Sequence, residues 1–267
     1  MKTMKTAIQT SKLVVALALI VFAIGVVKIL FAAEQKQARV TEVIRDVRLL
    51  ATETAARAAV LNETVREGTA VRTGTESRAE LTFTDLTLAR LGANTVFNFG
   101  AGGRSYNLGN GAILMSAPKE TGTVKVTTAV ATCAVSGFTI ISEYHSNTWN
   151  KILMYNGDGS VTLKRNPGDP RHIHSSEILI FRPDATVLPQ PQQFDICKAI
   201  NGGYLVNGFA KKLPEWPVLV DLCERQRTGP PTGKLIDPTN QNAIDQAMSA
   251  KPTPPPMHTP PPKRFSR

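Results

Sequence analysis

Residues 68–95 read GTAVRTGTESRAELTFTDLTLARLGANT. Gly68 turns the chain, Ala70 to Thr73 is short and extended, and Gly74-Thr75 turns it again. Ala79, Leu81 and Phe83 then alternate on one face of a strand. The alternation puts Glu80 on the opposite, outward face. Thr84-Asp85 makes a turn in which an Asp carboxylate bonds its own backbone. Leu86, Leu88 and Leu91 resume the apolar side before Gly92-Ala93-Asn94 breaks it. A carboxylate facing water and one held in a turn are scaffold, so Glu80 and Asp85 are not expected to act as an acid/base pair.

The same grammar continues outward. Val40–Ile44 on the N-terminal side is a strand candidate, with a helix allowed through Arg57. On the C-terminal side come Val96–Phe99, Ala112–Met115, Val124–Thr128, Cys133–Val135, Thr139–Ser142, Lys151–Tyr155, Ser160–Leu163 and Ile178–Phe181. Asn156-Gly157-Asp158-Gly159 predicts a hairpin, because Asn-Gly and Asp-Gly tolerate positive φ. Roughly a dozen short strands with turn signals between them predict an all-β fold of antiparallel strands, as a roll, sandwich or solenoid. The expected β domain spans residues 34–190. A C-terminal extension follows over 191–228, with a short helix from Pro217, where proline suits the first turn. Residues 229–267 are Pro-rich and predict a disordered tail that serves as a tether.

Charge and hydropathy bound the compartment. The chain of 267 residues has a formal charge of +10. Much of that excess sits at the ends: Lys2, Lys5, Lys12 and Lys28 precede the first acid, and Lys234, Lys251, Lys263, Arg264 and Arg267 face only Asp237 and Asp245. The nearly balanced body argues against nucleic-acid binding, which needs its charge on the folded surface. Lysines before the apolar run Leu13–Ala33 predict a signal peptide or a single-pass anchor within residues 1–33, and the 21 residues of that run suffice to cross a bilayer. A retained anchor would keep the N-terminus cytoplasmic and place residue 34 onward outside, on the periplasmic or extracellular side of the inner membrane; cleavage would secrete the body.

Candidate sites are sparse. His172 and His174 share one face of a strand, a spacing usable by a metal, with Asp169 and Glu177 nearby in sequence and His145 on another strand. No third ligand is fixed, so the pair reads as solvated, and no metal or cofactor is expected. Ser136-Gly137 lacks the flanking glycine of a nucleophile elbow. Gly100–Arg104 lacks the Lys-Ser/Thr and the helix of a phosphate loop. Asn62-Glu63-Thr64 is a glycosylation pattern that matters only in a eukaryotic secretory route. Cys133 reads as a buried apolar residue. Cys197 and Cys223 flank the extension and would be free to pair in an oxidising compartment. No catalytic residue, and no enzyme, is predicted.

The motifs together resemble the FecR-type extracytoplasmic domain of bacteria over about Ala38 to Pro189. The resemblance is carried by Gly68, Thr73-Gly74, Ala79-Glu80-Leu81-Thr82-Phe83, Asp85, Thr87, Leu91-Gly92 and Asn94-Thr95, then by Leu108, Gly111 and Ala112, by Thr127-Thr128, and by Val135-Ser136-Gly137-Phe138. It implies a structural role for Gly68, Gly74, Glu80, Leu81, Phe83, Asp85, Leu91, Gly92, Gly111 and Gly137. It also implies a periplasmic sensing or binding module whose partner is an envelope protein or a glycan. Ser136 and Phe138 depart from the family's Arg and Thr. Only 12 residues precede the apolar run, so the cytoplasmic anti-sigma segment of similar iron-uptake regulators is not expected, nor is a sigma-factor partner. The alternatives are a secreted metal-dependent enzyme using His172 and His174, or an anchored structural spacer.

Overall fold

The computed structural model describes residues 37–51, 55–100, 104–230 and 233–249. The expected span at 13–33 and the last 18 residues of the tail lie outside them. Among the described residues, no helix is long and apolar enough to cross a membrane.

Fifteen strands form one continuous hydrogen-bonded sheet that does not close. They are β1 (Gln37–Ile44), β2 (Val47–Leu50), β3 (Arg57–Ala58), β4 (Thr64–Arg66), β5 (Ala70–Thr73), β6 (Arg78–Phe83), β7 (Leu88–Leu91), β8 (Val96–Phe99), β9 (Ser105–Ala117), β10 (Thr123–Thr127), β11 (Ala131–His145), β12 (Trp149–Leu163), β13 (Asn166–His174), β14 (Glu177–Phe181) and β15 (Gln192–Gln193). Among the described residues, the stretch where a helix was allowed through Arg57 holds strands β2 and β3. Val47 and Leu49 are buried at every second position and pair with β5 as a strand.

The second departure is strand length. β9, β11 and β12 run for 13, 15 and 15 residues, and each changes neighbours midway. β9 pairs β8 and β10 through its first half, then β7 and β11 through its second. β11 leaves β10 for β9 around Gly137 while staying on β12 throughout. β12 leaves β14 for β13 at the same level. The three long strands therefore belong to two layers. One layer is ordered β15-β14-β12-β11-β9-β7-β6-β1-β4 and the other β13-β12-β11-β10-β9-β8-β5-β2-β3. One apolar cluster fills the space between them, with Leu81, Phe83, Leu91, Met115 and Ile140 from the first layer and Phe97, Tyr106, Val135 and Ile173 from the second. Phe83 meets Phe99 and Tyr106 edge-on, at 5.0 and 5.3 Å between centroids.

The hairpin predicted at Asn156–Gly159 is this bend. Register slips twice between Ser136 and Ile140, opposite Met154 to Asp158, and the chain continues as β12 without a turn. Gly157 takes a φ of 109° there, so a turn-forming sequence has been spent on a bulge.

Gly111 takes a φ of 91° in β9, and a Cβ on it would stand 2.4 Å from Thr95 Oγ1 and 2.6 Å from Thr95 Cα. Thr95 cannot retreat, because its hydroxyl bonds the N–H and the carbonyl of Ala112 at 3.1 Å each. Gly111→Ala is expected to cost about 1–3 kcal/mol through strain and displaced backbone. A lowered urea midpoint with unchanged slope would show it, and an unchanged midpoint would refute it.

Candidate functional site

The first layer has a second face, and it is not left to water. Leu88, Leu114, Ile141, Leu153, Tyr155, Ile178 and Ile180 project from it into a second buried cluster. The cover comes from residues 194–230 and 233–249. Four helices lie there among the described residues: α1 (Ile196–Gly202), α2 (Tyr204–Asn207), α3 (Trp216–Thr228) and α4 (Gln241–Ser249). Asp195 caps α1 by accepting from the Lys198 N–H at 2.9 Å. Pro217 occupies the first turn of α3, as its φ allows. Cys197 in α1 and Cys223 in α3 form a disulfide with their Cα atoms 4.9 Å apart. Part of the expected tail is folded. Ile236 bridges to Phe194, and Ile244 of α4 is buried in the second cluster. Proline content marks the chain beyond 250, while Asn240 to Ser249 contains none and has an apolar side to bury.

Glu80 was expected to face water and is instead 4 % exposed. It does point away from the inter-layer core, but into the contact with the extension. Its Oε2 accepts from Arg90 Nε at 2.9 Å, and its Oε1 accepts from Thr41 Oγ1 at 2.8 Å. Arg90 is fully buried. Its Nη1 donates to the carbonyls of Val206 at 2.8 Å and Leu205 at 3.3 Å, Nη2 donates to the Lys211 carbonyl, and the guanidinium lies 4.5 Å from the centre of the Phe209 ring. A buried charge survives only when its donors are met, and here the extension supplies most of the acceptors. Nearby, Glu42 accepts from the Ala210 N–H and Glu215 accepts from Ser116 Oγ.

Beside this clamp, a cavity of about 260 Å³ opens between the sheet and the joint of α1 with α2. Its floor is the hairpin end of β11 and β12, where three cross-strand pairs follow in order: Ile141 opposite Leu153, Glu143 opposite Lys151, His145 opposite Trp149. Lys151 Nζ lies 2.8 Å from Glu143 Oε2, with side-chain exposures of 7 % and 14 %. His145 packs edge-on against Trp149 at 5.0 Å, and the Trp149 Nε1 is buried without a partner. Tyr155 and Tyr204 complete the wall. Burial first, then the Glu143 carboxylate, holds both phenols well above the ordinary tyrosine value, with Arg78 opposing at Tyr204. Tyr204 is 45 % exposed overall, yet its hydroxyl end lies over Gly92, where a Cβ would come within 2.7 Å of the oxygen. None of Glu143, Trp149, Lys151, Tyr155 or Tyr204 stood out in the sequence. The available signal was a lysine directly before the apolar run Ile152–Tyr155 and a glutamate shortly after Ile140-Ile141.

The remaining predicted residues are scattered. Asp85 accepts from the Thr87 N–H at 3.0 Å within its turn. Leu81, Phe83 and Leu91 sit in the inter-layer core. Gly68 and Gly137 take positive φ, and Gly74 packs against Asp46. His172 and His174 lie exposed on the outer face of β13. His174 Nδ1 pairs with Asp158 Oδ1 at 2.7 Å. Among the described residues, no group of three His, Cys, Asp or Glu is placed to hold a metal. Cys133 is buried, which pushes its thiol up to about 12.

Residues 69–158 match the family model described as FecR protein. The chain carries a FecR-type domain. The match runs from β5 to the bend of β12, and so takes in most of both layers. No curated protein matches the chain. Two crystal structures of a candidate anti-sigma factor from Parabacteroides distasonis ATCC 8503 align with it at 15 % identity and a TM-score of 0.43. The alignments cover 50 % of this chain and 65 % and 64 % of theirs, so the chain spans just under two thirds of those proteins. The helical extension and more than half of the residues lining the cavity lie C-terminal to the matched FecR region.

Two outcomes test this geometry. Arg90→Met and Glu80→Leu are each expected to cost about 3–5 kcal/mol, because each leaves a buried partner uncompensated, while the double variant should cost less than their sum. Additive urea-melt energies would refute the clamp. At the outer face, the hydrogen bond that Asp158 accepts raises the His174 pKa above 6.5, opposed by desolvation and helped by the charges of Glu177 and Asp158. Any stability this pair adds is therefore complete below the unfolded-state pKa and lost as pH rises through the folded value. NMR titration should show the His174 pKa falling in Asp158→Asn, and an unmoved value would refute the pairing.

Proposed function

We propose that the chain is a non-catalytic binding and sensing module of the bacterial cell envelope. The observation that carries this reading is the FecR-type domain at 69–158. In this reading, residues 13–33 anchor the chain in the inner membrane, the β body with its helical cover lies on the periplasmic side, and the tail beyond residue 250 is a tether. The Cys197–Cys223 disulfide supports an oxidising compartment. Three pairings weigh against hydrolysis. Glu80 is spent on Arg90, Glu143 on Lys151, and Asp158 on His174. A sigma-factor contact is not part of this proposal, and the envelope partner is a protein or a glycan.

A reporter fused after Arg267 tests the placement. Alkaline phosphatase fused there is expected to be active and green fluorescent protein to be dark, with the chain kept in the membrane pellet after carbonate washing. A fluorescent, soluble fusion would overturn the proposal.

A further inference from the structure

We propose that the cavity over β11 and β12 is a binding site for a neutral, polyhydroxylated single-ring ligand of monosaccharide or cyclitol size. The inference rests on reading the chain as an envelope binding module, and it gives that module a ligand class.

The charge balance of the cavity argues for neutrality. Lys151 and Glu143 stand directly opposite each other and are paired at 2.8 Å, so the floor carries both signs and no net charge. An ionic ligand that met one member would lie close to the like charge of the other and be repelled by it, because the two stand only 2.8 Å apart. A hydroxyl donates and accepts through one oxygen, so it can give its proton to Glu143 while accepting from Lys151. The ammonium has three protons and the carboxylate about four acceptor positions, and the pair itself uses one of each. A second hydroxyl on the adjacent ring carbon would find the same pair unsaturated.

The walls extend the argument. The raised pKa values of Tyr155 and Tyr204 keep both phenols neutral, able to donate or accept near the same carboxylate. Trp149 and Leu153 supply apolar surface on the same strand. A cyclic polyol has matching parts, with C–H faces for an aromatic wall and hydroxyl edges for paired charges. The volume of about 260 Å³ falls below the usual drug-sized range of about 300–1,000 Å³, which suits one ring and excludes a long oligosaccharide. Tyr204, one of the residues lining the cavity, is 45 % exposed.

The chain has two tryptophans, so Trp216→Phe leaves Trp149 as the sole indole reporter. The full chain in a zwitterionic detergent without a sugar headgroup is titrated with glucose, N-acetylglucosamine and myo-inositol, and separately with glutamate and inorganic phosphate. At least one polyol is expected to shift Trp149 emission saturably, with a midpoint below about 10 mM, a weak but measurable affinity. Lys151→Met and Glu143→Gln should each weaken it at least tenfold, with circular dichroism reporting the fold. Tyr204→Phe, which removes one hydroxyl from a lining residue, gives a second test if either variant unfolds, and a severalfold loss is expected. No polyol response, a response undiminished in folded Lys151→Met or Tyr204→Phe, or preferential binding of glutamate or phosphate would each overturn the ligand assignment. If the chain is exported and membrane-bound but silent to polyols, only the ligand class fails. A chain retained in the cytoplasm overturns the envelope module itself.

Discussion

A guanidinium with no access to water holds this molecule together. Arg90 sits on a strand whose four residues are all buried, and it has left bulk solvent entirely. Its charge is met by Glu80 on the next strand and by main-chain carbonyls of residues 205, 206 and 211. Two of those carbonyls belong to the short helix α2, whose C-terminal oxygens lack helical partners and carry the negative end of its dipole. The arginine therefore needs the extension to complete its hydrogen bonds, and the extension needs a donor at that place. An apolar cluster packs the same contact, and the arginine fixes where the cover sits.

The cavity follows from that placement. Its floor belongs to the sheet and its roof to residues carried by the cover, so it exists only where the two are held in register. Gly92 and Tyr204 show how close the fit is, since a methyl group on the first would collide with the phenol of the second. The disulfide joins α1 to α3 and adds a covalent tie within the roof itself.

Much of the β body was legible because period-two alternation is a local property. Ala79, Leu81 and Phe83 point inward as read, and Asp85 closes its turn on Thr87. The same alternation placed Glu80 correctly on the other face but could not tell water from a layer contributed more than a hundred residues later. The clue lay in runs such as Ala112–Met115, Ile152–Tyr155 and Ile178–Phe181, which have no polar face and signal burial on both sides. Asn156–Gly159 misled because a bulge and a hairpin draw on the same residues, those at ease with positive φ. Helix α4 was hidden inside a segment whose prolines dominate its composition without being spread evenly. The Glu143–Lys151 pair needed the register of two strands, which no single strand's pattern contains.

The order in which the cover arrives has a consequence for synthesis. Every strand of the sheet has left the ribosome before the carbonyls of Leu205, Val206 and Lys211 emerge to meet Arg90. Until then the nascent chain displays Leu114, Ile141, Leu153, Tyr155, Ile178 and Ile180 on an uncovered sheet face. A fragment ending near Pro189, where the composition of the sequence changes, would keep that face exposed for good and would aggregate by stacking it. The helices thus finish the fold by covering a sheet face that the strands alone leave open.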